Sequence, residues 1–305
     1  MKARRKGILG LALILDLGLG DPPNRYHPVA WMGSAIGAAS RRAPAGGRLA
    51  QFLYGAGLVL GGGLAMIGLG RLLERLLRRL PAPLSWLAEA YLVKTTFSMG
   101  GLARAAQEVE AALNASDLPE ARRLVSWHLV SRDTTALSAA QIAAATIESV
   151  AENSSDGVVA PLLYYGMGGL PAALAYRFIN TADAMLGYRD PGHEWLGKVP
   201  ARVDDAANLL PARASAGLIV LAACLGGECA GQAWRIWRRD GGKTESPNAG
   251  QPMSAMAGAL GVELEKVGHY RLGAGGRAPA ATDIERAVRL VRLAAALMLG
   301  LLALK

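Results

Sequence analysis

The densest chemistry in this chain is the segment that holds Glu148, Glu152 and Asp156. Their i, i+4, i+8 spacing would stack three carboxylates on one face of a helix. Like charges so spaced oppose each other by about 0.2–0.5 kcal/mol per pair in water, and by more near lipid. A compensating cation is called for. Mg²⁺ is the natural one, being a hard ion held through carboxylates together with substrate phosphates. In a soluble protein a solvated acidic face would be the commoner explanation. Here Val158-Val159-Ala160-Pro161 leads straight into an apolar run, which favours the ligand role.

A second polar run follows, with Arg177, Asn180, Asp183 and Arg189, then Arg202, Asp204, Asp205, Asn208 and Arg213. Asn180 and Asp183 share a helical face at i, i+3, and Asp205 and Asn208 repeat the spacing. Carboxylates and amides interleaved with four arginines suit a metal-bridged phosphate, the carboxylates holding the ion and the guanidiniums the oxygens. Simple Arg–Asp pairing at a helix boundary is the alternative.

Three smaller groups add to this. Asp21 and His27 sit among closely spaced prolines in Gly20-Asp21-Pro22-Pro23 and His27-Pro28, in a rigid turn at the end of an apolar segment. Lys94, Thr95, Thr96 and Ser98 put a cation beside hydroxyls, as do Arg132 and its neighbours Ser131 and Thr134. Such sets hold phosphates, or else cap helices. Ser246-Pro247-Asn248 opens a turn before a small-residue helix. Two tempting matches fail. Gly242-Lys243-Thr244 lacks the first glycine of a P-loop, and Gly273-Ala274-Gly275-Gly276-Arg277-Ala278 is a loose dinucleotide-type pattern; no strand is expected ahead of either from the residue pattern.

The elements that must position these groups are helices in a membrane. Of 305 residues 52% are hydrophobic and 19% charged, against about 25% charged in ordinary soluble domains. The apolar excess is Ala, Leu and Gly, which suits close helix packing in lipid. Residues 49–70 carry no charge and reach the roughly 20 residues needed to span. Residues 7–20, 158–176, 214–227 and 293–304 are shorter or broken, and the last two span only by recruiting their flanks. No strand alternation stands out. The net charge of +9 comes from basic residues beside the apolar runs, the pattern of membrane edges and not of nucleic-acid binding. Cys224 and Cys229 read as small buried hydrophobes.

The expectation is therefore an all-α polytopic membrane protein, one domain over 1–305. If every apolar stretch simply crossed, the chemical residues would face both sides. Pro/Gly-broken or re-entrant helices, above all in 158–176, would instead let the polar segments converge on one cavity.

Taken in order, these segments resemble the cobinamide-phosphate synthase (CbiB/CobD) family of cobalamin biosynthesis. The resemblance is carried by Gly20-Asp-Pro-Pro23 with His27-Pro-Val29, Lys94-Thr-Thr-Phe-Ser98, Ser131-Arg-Asp-Thr134, Ile147-Glu-Ser-Val-Ala-Glu-Asn153 and Asp156-Gly-Val-Val-Ala-Pro161. It continues through Ala175-Tyr-Arg177, Asn180-Thr-Ala-Asp183, Gly187-Tyr-Arg189, Asp204-Asp205, Asn208, Pro211-Ala-Arg213 and Ser246-Pro-Asn248. Ala184 stands where the family pattern suggests Ser.

The resemblance implies an ATP-dependent ligase that joins adenosylcobyric acid to aminopropanol phosphate or its ethanolamine analogue, with Mg²⁺ as cofactor and ATP as co-substrate. It implies metal ligands among Glu148, Glu152, Asp156 and Asp183, and catalytic roles for Asp204, Asp205 and His27. It assigns phosphate and substrate contacts to Lys94, Thr95, Ser98, Arg132, Arg177, Asn180, Arg189, Arg202, Asn208, Arg213, Ser246 and Asn248. The partners implied are corrinoid and amino-alcohol phosphate substrates in the inner membrane, with the site facing the cytoplasm. A second copy of the chain or other pathway enzymes fit as protein partners, and nucleic acid does not. A prenyltransferase-like enzyme and a corrinoid transporter or scaffold are the competing readings. The first is weakened by the lack of closely repeated aspartates.

Overall fold

The computed structural model describes residues 2–130, 133–187 and 194–304. In chain order the elements are α1 (Lys2–Leu19), a 3-10 turn (Asn24–Tyr26), α2 (Pro28–Ser40), α3 (Arg48–Leu77), α4 (Ala82–Lys94), α5 (Met99–Asn114), α6 (Leu118–His128) and α7 (Ala139–Ser154). A π-helical turn (Ser155–Val159), α8 (Ala160–Gly168), α9 (Leu170–Leu186), α10 (Lys198–Leu225), α11 (Ala230–Asp240), α12 (Gly250–Leu260), β1 (Leu264–Lys266), β2 (Tyr270–Leu272) and α13 (Ala281–Leu304) follow.

The helix starts carry local signals. Asp117 accepts the Glu120 N–H at 3.0 Å to cap α6, and Ser138 and Gln141 form a reciprocal capping box on α7. Gly169, at φ +73°, separates α8 from α9, so the apolar stretch 158–176 is broken as its glycines and prolines require. Among the described residues three helices are long and apolar enough to cross a membrane: α3, α10 and α13. The short apolar stretches at 214–227, up to Leu225, and 293–304 thus become the second halves of longer helices whose first halves are polar. The β1–β2 hairpin was not legible in the sequence. Its antiparallel strands pair only Leu264–Leu272, Glu265–Arg271 and Lys266–Tyr270, too few residues for alternation to show.

The chain divides into two compact units, each discontinuous in sequence. The first comprises residues 1–98, 160–208 and 302–305, and the second residues 99–159 and 209–301. In the first, α3 lies along α9 and α1 along α4. Glycines on α3 permit the close approach, since a Cβ on Gly70 would stand 2.5 Å from Pro171 Cα, whereas one on Gly57 would meet nothing within 4 Å. Buried Glu89 of α4 ties the unit together by accepting from Tyr165 at 2.7 Å and from Arg4 at 2.7 Å. In the second unit, α7 is buried along most of its length between α5, α6 and α12, and α12, rich in small residues, packs against α11.

Two outcomes follow for thermal unfolding in detergent. Gly57→Ala should stabilise by up to about 1 kcal/mol through helix propensity, while Gly70→Ala should cost about 1–3 kcal/mol by overpacking; equal effects would refute the packing assignment. Glu89→Ala should cost about 3–5 kcal/mol, because it strands the Arg4 charge, and a shift within error would show that the pair carries no stability.

Candidate functional site

In the first unit, α9 and the start of α10 build a chained polar cluster. Arg177 donates to Asn180 Oδ1 at 3.1 Å, and Asn180 Nδ2 donates to Asp204 Oδ1 at 3.4 Å. On the other side Asn208 Nδ2 donates to Asp204 Oδ2 at 2.9 Å, and the Tyr176 hydroxyl donates to Asn208 Oδ1 at 2.8 Å. Buried Asp204 is thus held between two amides. The carboxylate–amide pair on α10 is Asp204–Asn208 at i, i+4, not the expected Asp205–Asn208, because four residues bring side chains into line along a helix. Asp205, half-buried, faces Arg202 across 3.7 Å.

Pro211 has no N–H to give the Ala207 carbonyl one helical turn back, and that carbonyl accepts the Tyr164 hydroxyl at 3.0 Å. Tyr164 stacks on Tyr176, with centroids 4.9 Å apart. The sequence reading missed Tyr164 and gave Tyr176 no role. A lone Tyr in an apolar run carries no signal, and only the prolyl gap in α10 explains why one is needed.

Asp183, on α9, completes this cluster electrostatically. Burial, followed by the negative charges of Asp204 and Asp205, pushes its pKa up to about 7. Gly187, one turn on, lies so close to the Asp183 carboxylate that a Cβ would overlap it.

The second cluster of this unit centres on Asp21. It accepts from Lys94 and Ser98, and His27 Nε2 lies 3.9 Å away. Burial raises the Asp21 pKa, but the hydrogen bonds from His27, Lys94 and Ser98 and the Lys94 charge outweigh it and hold the group well below the usual carboxylate range. Lys94 is 1% exposed and also lies 3.7 Å from Asp16, which is 0% exposed. Thr95 and Thr96 return their hydroxyls to the Leu92 and Val93 carbonyls at 2.7 and 2.6 Å. Lys94, Thr95 and Ser98 are therefore engaged within the protein. His27 Nδ1 accepts the Val29 N–H at 3.2 Å, capping α2, so its ring holds Asp21 and the helix start.

The second unit carries the remaining groups. Glu148 and Glu152 line a cavity of about 170 Å³ with Ser149, Lys266 and Tyr270. Asp156 is not among its lining residues, because α7 gives way to the π turn at Ser155, and the wider turn shifts every later side chain around the axis. Arg213 donates to the Leu209 carbonyl at 2.9 Å and to Asn248 Oδ1 at 3.4 Å. Ser246 Oγ accepts the Asn248 and Ala249 N–H groups at 3.2 and 3.4 Å, the work of a turn cap. Arg132 and Arg189 lie outside the described residues.

Among the described residues no three His, Cys, Asp or Glu side chains gather as a metal set. Mg²⁺ does not require one, since one or two carboxylates plus substrate phosphates and water suffice. Asp183 and Asp204 offer hard oxygen donors, and the charge repulsion borne by Asp183 is of the sign a cation relieves. These residues fit the ion.

A family model described as CobD/Cbib protein matches residues 9–291. The cobalamin biosynthesis protein CobD of Dehalococcoides mccartyi is 45% identical over 264 residues, covering 86% of this chain and 85% of its own. That of Klebsiella pneumoniae is 38% identical over 308 residues, covering 95% and 94%. A probable cobalamin biosynthesis protein CobD of Pyrococcus abyssi is 40% identical over 289 residues, covering 95% and 92%. No solved structure matches. With a matched segment that runs through both units and relatives aligned almost end to end, this helical membrane protein belongs to the CobD/CbiB family of cobalamin biosynthesis.

Proposed function

We propose that this chain is an ATP-dependent acid–amine ligase, joining the free carboxylate of adenosylcobyric acid to the amine of aminopropanol phosphate, or of ethanolamine phosphate, to give adenosylcobinamide phosphate. The observation that carries the reading is the Asp204 cluster. A buried carboxylate held by Asn180 and Asn208, with Asp183 and Asp205 near enough to be felt and Arg177 chained to it, is an arrangement for a cation that bridges to the phosphates of the substrates.

The proposed chemistry runs in two steps. The corrinoid carboxylate attacks the γ-phosphorus of ATP, the bond to ADP breaks, and an acyl phosphate forms. Arg177 and Arg202 take up charge on the transferring oxygens. The amine nitrogen then attacks the acyl carbon, phosphate leaves, and the ammonium proton passes to a carboxylate. Asp205, less buried than Asp204, is suited to that role. His27 is not, since both ring nitrogens face partners. Mg²⁺, when bound at Asp183 and Asp204, would polarise the phosphoryl oxygens. Lys94 and Ser98 would act by holding the Asp21 turn, and Glu148 and Glu152 would serve their own cavity beside Lys266.

The direct test supplies detergent-purified chain with adenosylcobyric acid, aminopropanol phosphate and Mg·ATP. ADP, phosphate and the amide should appear in equal amounts; ATP left intact with both substrates present would sink the ligase reading and favour a corrinoid carrier. Asp204→Asn should lower turnover about 10³-fold or more, on the scale of losing a preorganised transition-state group; near-normal rates would remove Asp204 from the mechanism. Mg²⁺ binding should also depend on pH. Asp183 has a raised pKa of about 7, so below it a proton competes for the site, and affinity measured by titration calorimetry should fall about tenfold per unit. A flat profile between pH 6 and 8, in which a group of that pKa must titrate, would remove Asp183 as a ligand.

A further inference from the structure

The second unit holds a larger cavity that this chemistry leaves unused. It occupies about 410 Å³ between α11, the end of α12 and the loop from Gly273 to Arg277, within the range of small-molecule sites. Arg235, Arg239 and Arg277 line it from two separate segments, and among the described residues no carboxylate does. Ile236 and Val262 supply apolar wall.

Two of these guanidiniums are fixed from behind. Arg239 donates through Nε and Nη2 to Asp240, each at 2.8 Å, and Arg277 donates through both terminal nitrogens to Asp283, each at 2.6 Å. Both aspartates are fully buried and drawn on by further donors. Asp240 lies 2.6 Å from Lys243 and accepts the Gly273 N–H at 2.8 Å. Asp283 accepts from Arg286 at 2.6 Å and from the Ala280 N–H at 2.8 Å. The side chains of Arg239 and Arg277 stay 45% and 50% exposed, with donors to spare from the five each guanidinium carries. Arg235 makes no hydrogen bond or ion pair among the described residues.

The loop is built to keep its backbone close. A Cβ on Gly276 would stand 2.6 Å from the Val262 carbonyl carbon, and Gly275 holds φ +90°. Arginines that merely solvate a surface are not oriented by buried acids toward one hollow.

We propose that this cavity is a binding site for a phosphate ester, its oxygens taken by Arg235, Arg239 and Arg277 and its organic part laid on Ile236 and Val262. Planar forks set in advance suit phosphate oxygens better than mobile ammoniums. Two sources share that chemistry. One is a soluble ester such as a nucleotide. The other is an anionic phospholipid headgroup, since α11 also carries Trp234 and Trp237, residues frequent at membrane interfaces. The site is argued apart from the ligase reading and does not depend on it.

The test uses the full chain without corrinoid or amine. Equilibrium dialysis with ATP and with inorganic phosphate reads the soluble source. Native mass spectrometry from phosphatidylcholine nanodiscs with and without phosphatidylglycerol reads the lipid source. Arg235→Gln should weaken binding of at least one probe about tenfold, the loss of one charge-assisted bond. Arg238→Gln, on the same helix but outside the cavity lining, should not. Asp204→Asn, expected to abolish turnover, should leave this binding intact. Saturable ATP or phosphate binding that Arg235→Gln weakens and Asp204→Asn leaves intact assigns the soluble source, and retained phosphatidylglycerol alone assigns the lipid. No saturable probe, or equal effects of the two arginine variants, overturns the proposal whatever the outcome of the turnover assay.

Discussion

An ionised group placed in an apolar helical framework must be matched by opposite charge or by fixed dipoles, and much of this structure answers that demand. Asp16 and Asp21 share Lys94, Glu89 meets Arg4, Asp240 meets Arg239 and Lys243, and Asp283 meets Arg277 and Arg286. Desolvating such pairs is costly, so they survive where geometry is close and further donors are present. The Lys94 and Glu89 pairs hold chain segments remote in sequence against each other, as Arg4 and Glu89 do for α1 and α4.

The Asp204 group departs from that pattern. Its acid is met at hydrogen-bond distance by two amides, which orient a carboxylate without cancelling its charge. Asp183 feels Asp204 and Asp205 as like charges. Three acids therefore gather where Arg177 and Arg202 also lie, a mixed charge set of the kind found at functional sites. The glycines of α3 bear on this indirectly, because α9, which carries Arg177, Asn180 and Asp183, lies as close to α3 as those glycines allow.

Helix content, the break in 158–176 and the family could be seen in the sequence, because apolar runs, glycines and ordered motifs are local signals. Which polar residues meet could not. Lys94 and Ser98 look like phosphate ligands in isolation, yet both turn inward to Asp21. His27 looks like a base but caps α2. Glu148, Glu152 and Asp156 have perfect helical spacing, and a π turn, which no residue pattern announces, separates the third from the first two. Asp240 and Asp283, which aim two arginines, lie outside every motif considered, because an acid beside Arg239 and Lys243, or between Arg277 and Arg286, has the same local pattern as a solvated surface charge.

The proline inside α10 has a consequence beyond the helix that contains it. A missing rung leaves one carbonyl vacant, and Tyr164 has taken the vacancy. Through the ring it stacks upon, that hydroxyl is mechanically linked to the amide that steadies Asp204. An ordinary amino acid at 211 would restore the rung and make its N–H share that carbonyl with the phenol, weakening the hold on a carboxylate almost two turns away without altering any group that meets a substrate. The defect is thus a fastening, and the alignment of the acid depends on an interruption in the rod that bears it.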